Sequence, residues 1–146
     1  MNNPLKRTPL YQRHVAVGGK IVPFAGFEMP VQYQTGIIAE HTAVRQTAGL
    51  FDVSHMGEFI VRGPQALDLV QYVTVNDASK IEVGQAQYSA MCLESGGIID
   101  DLLIYRFADR FMLVVNAANR AKDLEWIRQH ADTFDVELED ASEVTA

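Results

Sequence analysis

Residues 87–115 read QYSAMCLESGGIIDDLLIYRFADRFMLVV, and the punctuation of this stretch decides the fold. Three apolar runs, 87–93, 98–107 and 111–115, are separated by Ser95-Gly96-Gly97 and Ala108-Asp109-Arg110, the turn chemistry that joins neighbouring strands of hairpins. Upstream, residues 58–61 read as a strand, and Gly63-Pro64 opens a helix whose Leu67, Val70 and Val73 face inward. Downstream, a helix over about 119–130 carries Ala121, Leu124, Ile127 and Ala131 on one stripe, and a short strand follows at 134–138. The order strand, helix, three strands, helix, strand predicts an α+β fold, an antiparallel sheet with helices on one face.

The first 55 residues do not repeat this pattern. Thr8-Pro9 starts a helix through Leu10, Tyr11, His14 and Val15 that Gly18-Gly19 ends. Residues 20–24 read as a strand, and 25–34, with Gly26 and Pro30, as an ordered loop. Thr35 is placed to cap a second helix with Ile37, His41, Val44 and Ala48 on one face, stopped by Gly49. A further strand is expected at 50–53. This segment is expected to belong to a different domain from the residues after it, and no internal repeat or flexible linker divides the chain.

Composition narrows the function classes. At 146 residues, 48% hydrophobic and 21% charged, the chain is long enough to bury a core without metals or disulfides. Its one cysteine, Cys92, lies in an apolar run, so neither an internal disulfide nor a Cys-based zinc site is expected, and no metal is predicted. A reducing, cytoplasmic setting is the natural reading. No run approaches the ~20 apolar residues of a membrane span, which argues against a membrane role. The formal charge of −7, with scattered bases, would repel phosphate backbones and argues against nucleic acid.

General catalytic motifs are missing: no Gly-rich phosphate loop, no HExxH, no CxxC and no GxSxG. What stands out is Asp100-Asp101 inside GGIIDDLLIY, residues 96–105. Strand alternation sends adjacent residues to opposite faces, so one carboxylate meets solvent or a polar neighbour and the other the interior or a cleft. A buried carboxylate is costly unless paired or used, and satisfying the amides of the Gly96-Gly97 turn is the plain alternative. Asn116, between a strand and a helix, suits a helix cap. His55 in DVSHM could act as a base or ligand, though a lone histidine is more often structural. Tyr88 and Met91 suit a core, and a tyrosine near a cleft can stack on an aromatic ligand.

Four longer strings, TPLYQRHVAVGGKIVPFAGFEMPVQY, AVRQTAGLFDVSHMGEF, GGIIDDLLIY and VVNAANRAKDLEWI, resemble successive blocks of the T protein of the glycine cleavage system, in order and at matching spacing. The resemblance implies an aminomethyltransferase that takes an aminomethyl group from the lipoyl arm of H protein, transfers its one-carbon unit to tetrahydrofolate and releases ammonia. It makes Asp101 the catalytic carboxylate, holding the pterin and managing protons as ammonia leaves, with Asp100 as its structural partner. It places Tyr88 along the folate, Val114 and Asn116 at the pterin and Met56 near the channel where folate lies. No role for His55 carries over.

The same resemblance divides the chain. Residues 1–55 become the N-terminal part of a first, folate-binding domain; 56–136 match the second, α+β domain; 137–146 are expected to form a strand returning toward the first domain. Family members are more than twice as long, so the first domain is expected to be incomplete and this chain alone inactive. The alternatives to this reading are an inactive fragment and a related folate domain of the sarcosine and dimethylglycine dehydrogenase type.

Overall fold

The computed structural model describes residues 4–144. Two compact units share the described residues, 4–55 and 56–144, and each has its own sheet.

The first unit is built around a hairpin. Helix α1 (Tyr11–Ala16) leads into β1 (Lys20–Phe24), which pairs antiparallel with β2 (Phe27–Gln32), and α2 (Ile37–Gln46) follows. Strand β2 occupies the expected loop. The connecting residues Ala25 and Gly26 both have positive φ, 49° and 85°, the conformation of a two-residue type I′ turn. Alanine is uncommon there, so the turn carries no Asn-Gly signal. Pro30 fits because the hairpin has only two strands and leaves free edges.

Two further expectations fail in this unit. Residues 50–53 form no strand, and Leu50 and Phe51 are exposed; without a partner for its ladder, an apolar run does not become a strand. Thr35 does not cap α2, whose N-cap is Gly36 at φ 81°, and none of the helix's residues is buried.

The second unit follows the expected order closely. Strand β3 (Gly57–Arg62) is followed by α3 (Ala66–Val73), a 3₁₀ turn at Ala78–Lys80, β4 (Ala86–Cys92), β5 (Ile98–Arg106), β6 (Phe111–Val115), α4 (Arg120–Ala131) and β7 (Glu137–Asp140). All neighbours in the sheet order β4-β5-β6-β3-β7 are antiparallel. Helices α3 and α4 cover one face. Phe59, Val61, Met91, Leu102, Ile104, Leu113 and Val115 join Leu69, Val70, Leu124 and Ile127 in a single apolar core there. Of the residues expected to face inward, Val70, Val73, Leu124 and Ile127 are buried, Leu67 and Ala131 half-buried and Ala121 exposed.

Of the return strand expected at 137–146, residues 145–146 lie outside the described residues, and the strand that forms is Glu137–Asp140. Glu137–Asp140 pairs with β3, Val61 opposite Leu138, and so closes the second unit's sheet instead of leaving it. It also starts three residues later than 134, because Asp135 and Val136 pass alongside the turn at Gly63. The acidic sequence ELED suits an edge strand, where charge discourages pairing with other chains.

Candidate active site on the helix-free sheet face

Strand alternation sorts the two adjacent carboxylates as expected. On β5, Asp100, Leu102 and Ile104 point to the helix-covered core and are buried, while Asp101, Leu103 and Tyr105 point the other way and are half-buried. The pairing register assembles the other site residues around Asp101. Tyr88 on β4 lies opposite Leu103, which lies opposite Val114 on β6, which lies opposite Glu58 on β3, a row running across the sheet. The next row holds Ala90 and Asp101. Met56 and Asn116 sit at its end, flanking the Gly57 and Val115 pair.

A bulge lies beside the acids. Met91 pairs with Asp100 but Cys92 with Ile98, leaving Ile99 unpaired, and the Ile99 carbonyl accepts a hydrogen bond from Lys122 Nζ at 2.6 Å. Bulges of this kind re-aim the side chains beyond them.

Both oxygens of Asp101 are held. The Tyr88 hydroxyl donates to Oδ2 at 2.7 Å and the Asn116 amide to Oδ1 at 2.9 Å. That amide nitrogen is also 3.1 Å from Asp100 Oδ1. Each oxygen of Asp101 keeps a further lone pair for an N–H donor, so the group is positioned without being saturated. The hydrogen bond to Asp101, then burial and the two carboxylate charges, raise the Tyr88 phenol above its ordinary value, so it remains a donor at neutral pH. At 63% exposure its ring is open to a flat ligand, which replaces the core role also expected of it. Met91 is in the core as expected.

Neither plain alternative holds. The Gly96 amide donates to the Leu93 carbonyl, not to an aspartate. Helix α4 has Asn119 as its N-cap, and the Asn116 side chain is spent on the carboxylates.

Sequence reasoning missed two buried acids. Glu58 ends the row through Val114; its Oε2 has no partner, and burial, against the opposing charge of Arg120, raises its carboxyl to about 7. Asp123, on α4, is fully buried beside Asp100. The signals were an acid alternating with Ile60 in a strand and an acid next to Leu124 in a helix stripe. Both are weak.

The first unit holds a separate polar cluster. His14 bonds through Nε2 to Asp52 at 2.8 Å and through Nδ1 to the Tyr33 hydroxyl at 2.7 Å, and Thr8 donates to Asp52 at 2.7 Å. Burial opposes ionisation of Asp52, but bonds from His14, Thr8 and Ser54 outweigh it and hold the carboxyl at about 2. His55 packs edge-on against Phe24 and Phe27, and burial lowers its pKa, with Asp52 opposing. That is a structural role. Among the described residues no group of three or more His, Cys, Asp or Glu side chains could hold a metal, and no helix is long and apolar enough to cross a membrane.

A family model described as the GCVT N-terminal domain matches residues 10–146. The chain belongs to that family. It is 59% identical to an aminomethyltransferase of Symbiobacterium thermophilum over 97% of its own length, and 54% identical to one of Thermus thermophilus over the same share. It covers 39% and 41% of those two proteins, so it spans about two fifths of their length. The crystal structure of glycine cleavage system aminomethyltransferase T from Bartonella henselae superimposes with a TM-score of 0.87 at 41% identity, over 92% of this chain and 37% of that one. Membership in the GCVT N-terminal domain family and the α+β fold expected from residues 87–115 therefore agree.

Proposed function

We propose that the chain is the N-terminal portion of a tetrahydrofolate-dependent aminomethyltransferase of the glycine cleavage system, and that Asp101 is its catalytic carboxylate. The observation that carries the reading is Asp101 itself, a carboxylate on a half-open sheet face with both oxygens oriented and neither saturated. The residues fit a reduced pterin: a carboxylate to accept its N–H groups, the exposed Tyr88 ring as a flat surface, and Val114 and Met56 on the same two rows as apolar lining. Asn116 fixes the carboxylate in place, and Tyr88 keeps its proton and fixes it from the other side. Fixed in this way, Asp101 can hold a proton acceptor at the reacting nitrogens while an amine departs as ammonia. The aminomethyl donor in this reading is the lipoyl arm of H protein, and the setting is the reducing cytoplasm, supported by the single cysteine.

The test joins residues 1–146 to the remaining sequence of the Symbiobacterium relative and measures ammonia release from aminomethyl-lipoyl H protein. Release that requires tetrahydrofolate and is lost in Asp101→Asn supports the reading. A folded hybrid that releases ammonia equally well with Asn at position 101 would refute it.

A further inference from the structure

Asp123 is 0% exposed, and neither of its oxygens has a hydrogen-bond donor; the same is true of Oδ2 of its neighbour Asp100. Two ionised carboxylates side by side and out of water repel each other and lose hydration without compensation. One proton between them meets both needs. We propose that Asp123 and Asp100 share a single proton as a buried acid pair, and that this pair positions Asn116 and, through it, Asp101.

The surroundings leave a proton as the available partner. Strand β5 brings Asp100 and Asp101; α4 brings Lys122, whose Nζ donates to the Ile99 carbonyl and to neither oxygen of Asp123; the residues before α4 bring Asn116 and Asn119; the buried residues of α3 are all apolar. The electrostatics of the two acids agree with this geometry. Burial, then the bond to Asp100 and its charge, raise Asp123 to about 8, with Lys122 opposing. Burial works against ionisation of Asp100 as well, but bonds from Asp123, Asn116 and Asn119 outweigh it and lower its carboxyl. Asp100 Oδ1 accepts from the Asn116 amide whereas neither oxygen of Asp123 has a donor, so the proton resides on Asp123 and Asp100 carries the negative charge.

That single charge is what orients Asn116. Its amide lies between Asp100 Oδ1 and Asp101 Oδ1, at 3.1 and 2.9 Å, so a fixed Asp100 fixes the donor that Asp101 uses. Asp123 is then a positioning residue, three hydrogen bonds removed from the carboxylate it serves. The consequence for catalysis rests on the proposed role of Asp101; the existence of the pair does not.

The experiment is a ¹³C-carboxyl and ¹⁵N side-chain amide titration of the 146-residue chain. One aspartate carboxyl carbon is expected to titrate near 8 and to be missing from Asp123→Asn. The Asn116 amide signals should shift with the same midpoint. Asp123→Asn, whose amide donates to Asp100 without titrating, should hold those signals constant across the range, while Asp123→Ala should displace them at every pH. All aspartate carbons titrating below about 5 would overturn the pair. Asn116 signals indifferent to pH and to both substitutions would overturn its positioning role. The wild-type and Asp123→Asn spectra decide both points even where Asp123→Ala does not fold, and neither result depends on turnover, so the role of Asp101 is judged separately.

Discussion

Asp100 and Asp101 are adjacent in sequence and point into different chemistry. Asp100 is buried among bonds from Asp123, Asn116 and Asn119; Asp101 is half open and held by Tyr88 and Asn116. Asp101→Asn preserves shape but removes charge and proton acceptance. In the hybrid enzyme it is expected to slow turnover by roughly 100- to 10,000-fold, the range for a positioned acid or base. Asp100→Asn should cost much less turnover and act mainly through stability, since its carboxylate faces the core. Single-turnover rates on variants with native circular dichroism check the pair, and the reverse ranking would mean that the two roles are exchanged. The contrast between these residues could be read from strand alternation alone. Which of them faced the core could not, because it depends on the side of the sheet that α3 and α4 cover.

Among the elements, the junction of β3 and α3 packs closely against the backbone before β7. Gly63 has φ +117°, and a Cβ there would lie 2.6 Å from the Asp135 carbonyl oxygen, backbone that cannot easily yield. Gly63→Ala is therefore expected to cost about 1–3 kcal/mol for the strained conformation, with the collision adding to it. Ile104, fully buried on β5, should cost about 2–5 kcal/mol as Ile104→Ala. Chemical denaturation followed through Trp126, the chain's single tryptophan, measures both; a Gly63→Ala midpoint equal to wild type would show that the turn is free to relax. Strands with hairpin signals on both sides, such as β5, were legible in the sequence. Strand β2 was hidden because its turn uses Ala25 at positive φ, and β7 was displaced because its start is set by β3, far away in sequence.

The molecule as a whole is uneven. The second unit packs both helices on a five-stranded sheet, whereas the first has two strands, an α2 with no buried residue, and exposed Val17, Phe24, Ile38, Leu50 and Phe51. Amide hydrogen exchange should therefore be slower in residues 56–136 than in 1–50, and equal protection would contradict this. The raised and the lowered carboxyls should also respond oppositely to pH. Asp123 and Glu58, at about 8 and 7, retain protons when folded that the unfolded chain releases near pH 4. Their stabilisation is complete below that point and is lost as pH rises through 7 and 8. Asp52, at about 2, contributes above pH 4 and loses its contribution as pH falls toward 2. The melting temperature reported by Trp126 should fall between about pH 5 and 8.5, and Asp123→Asn should flatten the slope; a rise in wild type would defeat the assignment. The 146-residue chain alone should show no aminomethyl transfer, because a site shared among domains loses preorganised contacts when some are missing; turnover near that of a full-length relative would contradict this.

By itself the sequence determined the α+β class, the order of elements from residue 58 onward, and that Asp100 and Asp101 face opposite sides of one strand, because these depend on periodicity and turn chemistry, which are local. Tertiary structure alone decided that Tyr88, Asn116 and Asp101 bond to one another, that residues 137–140 close the second sheet, and that Glu58 and Asp123 are buried. These facts depend on which strands become neighbours and which face the helices cover. An acid's environment is made by residues distant along the chain, and no local pattern around Asp123 announces that Asp100 will lie beside it.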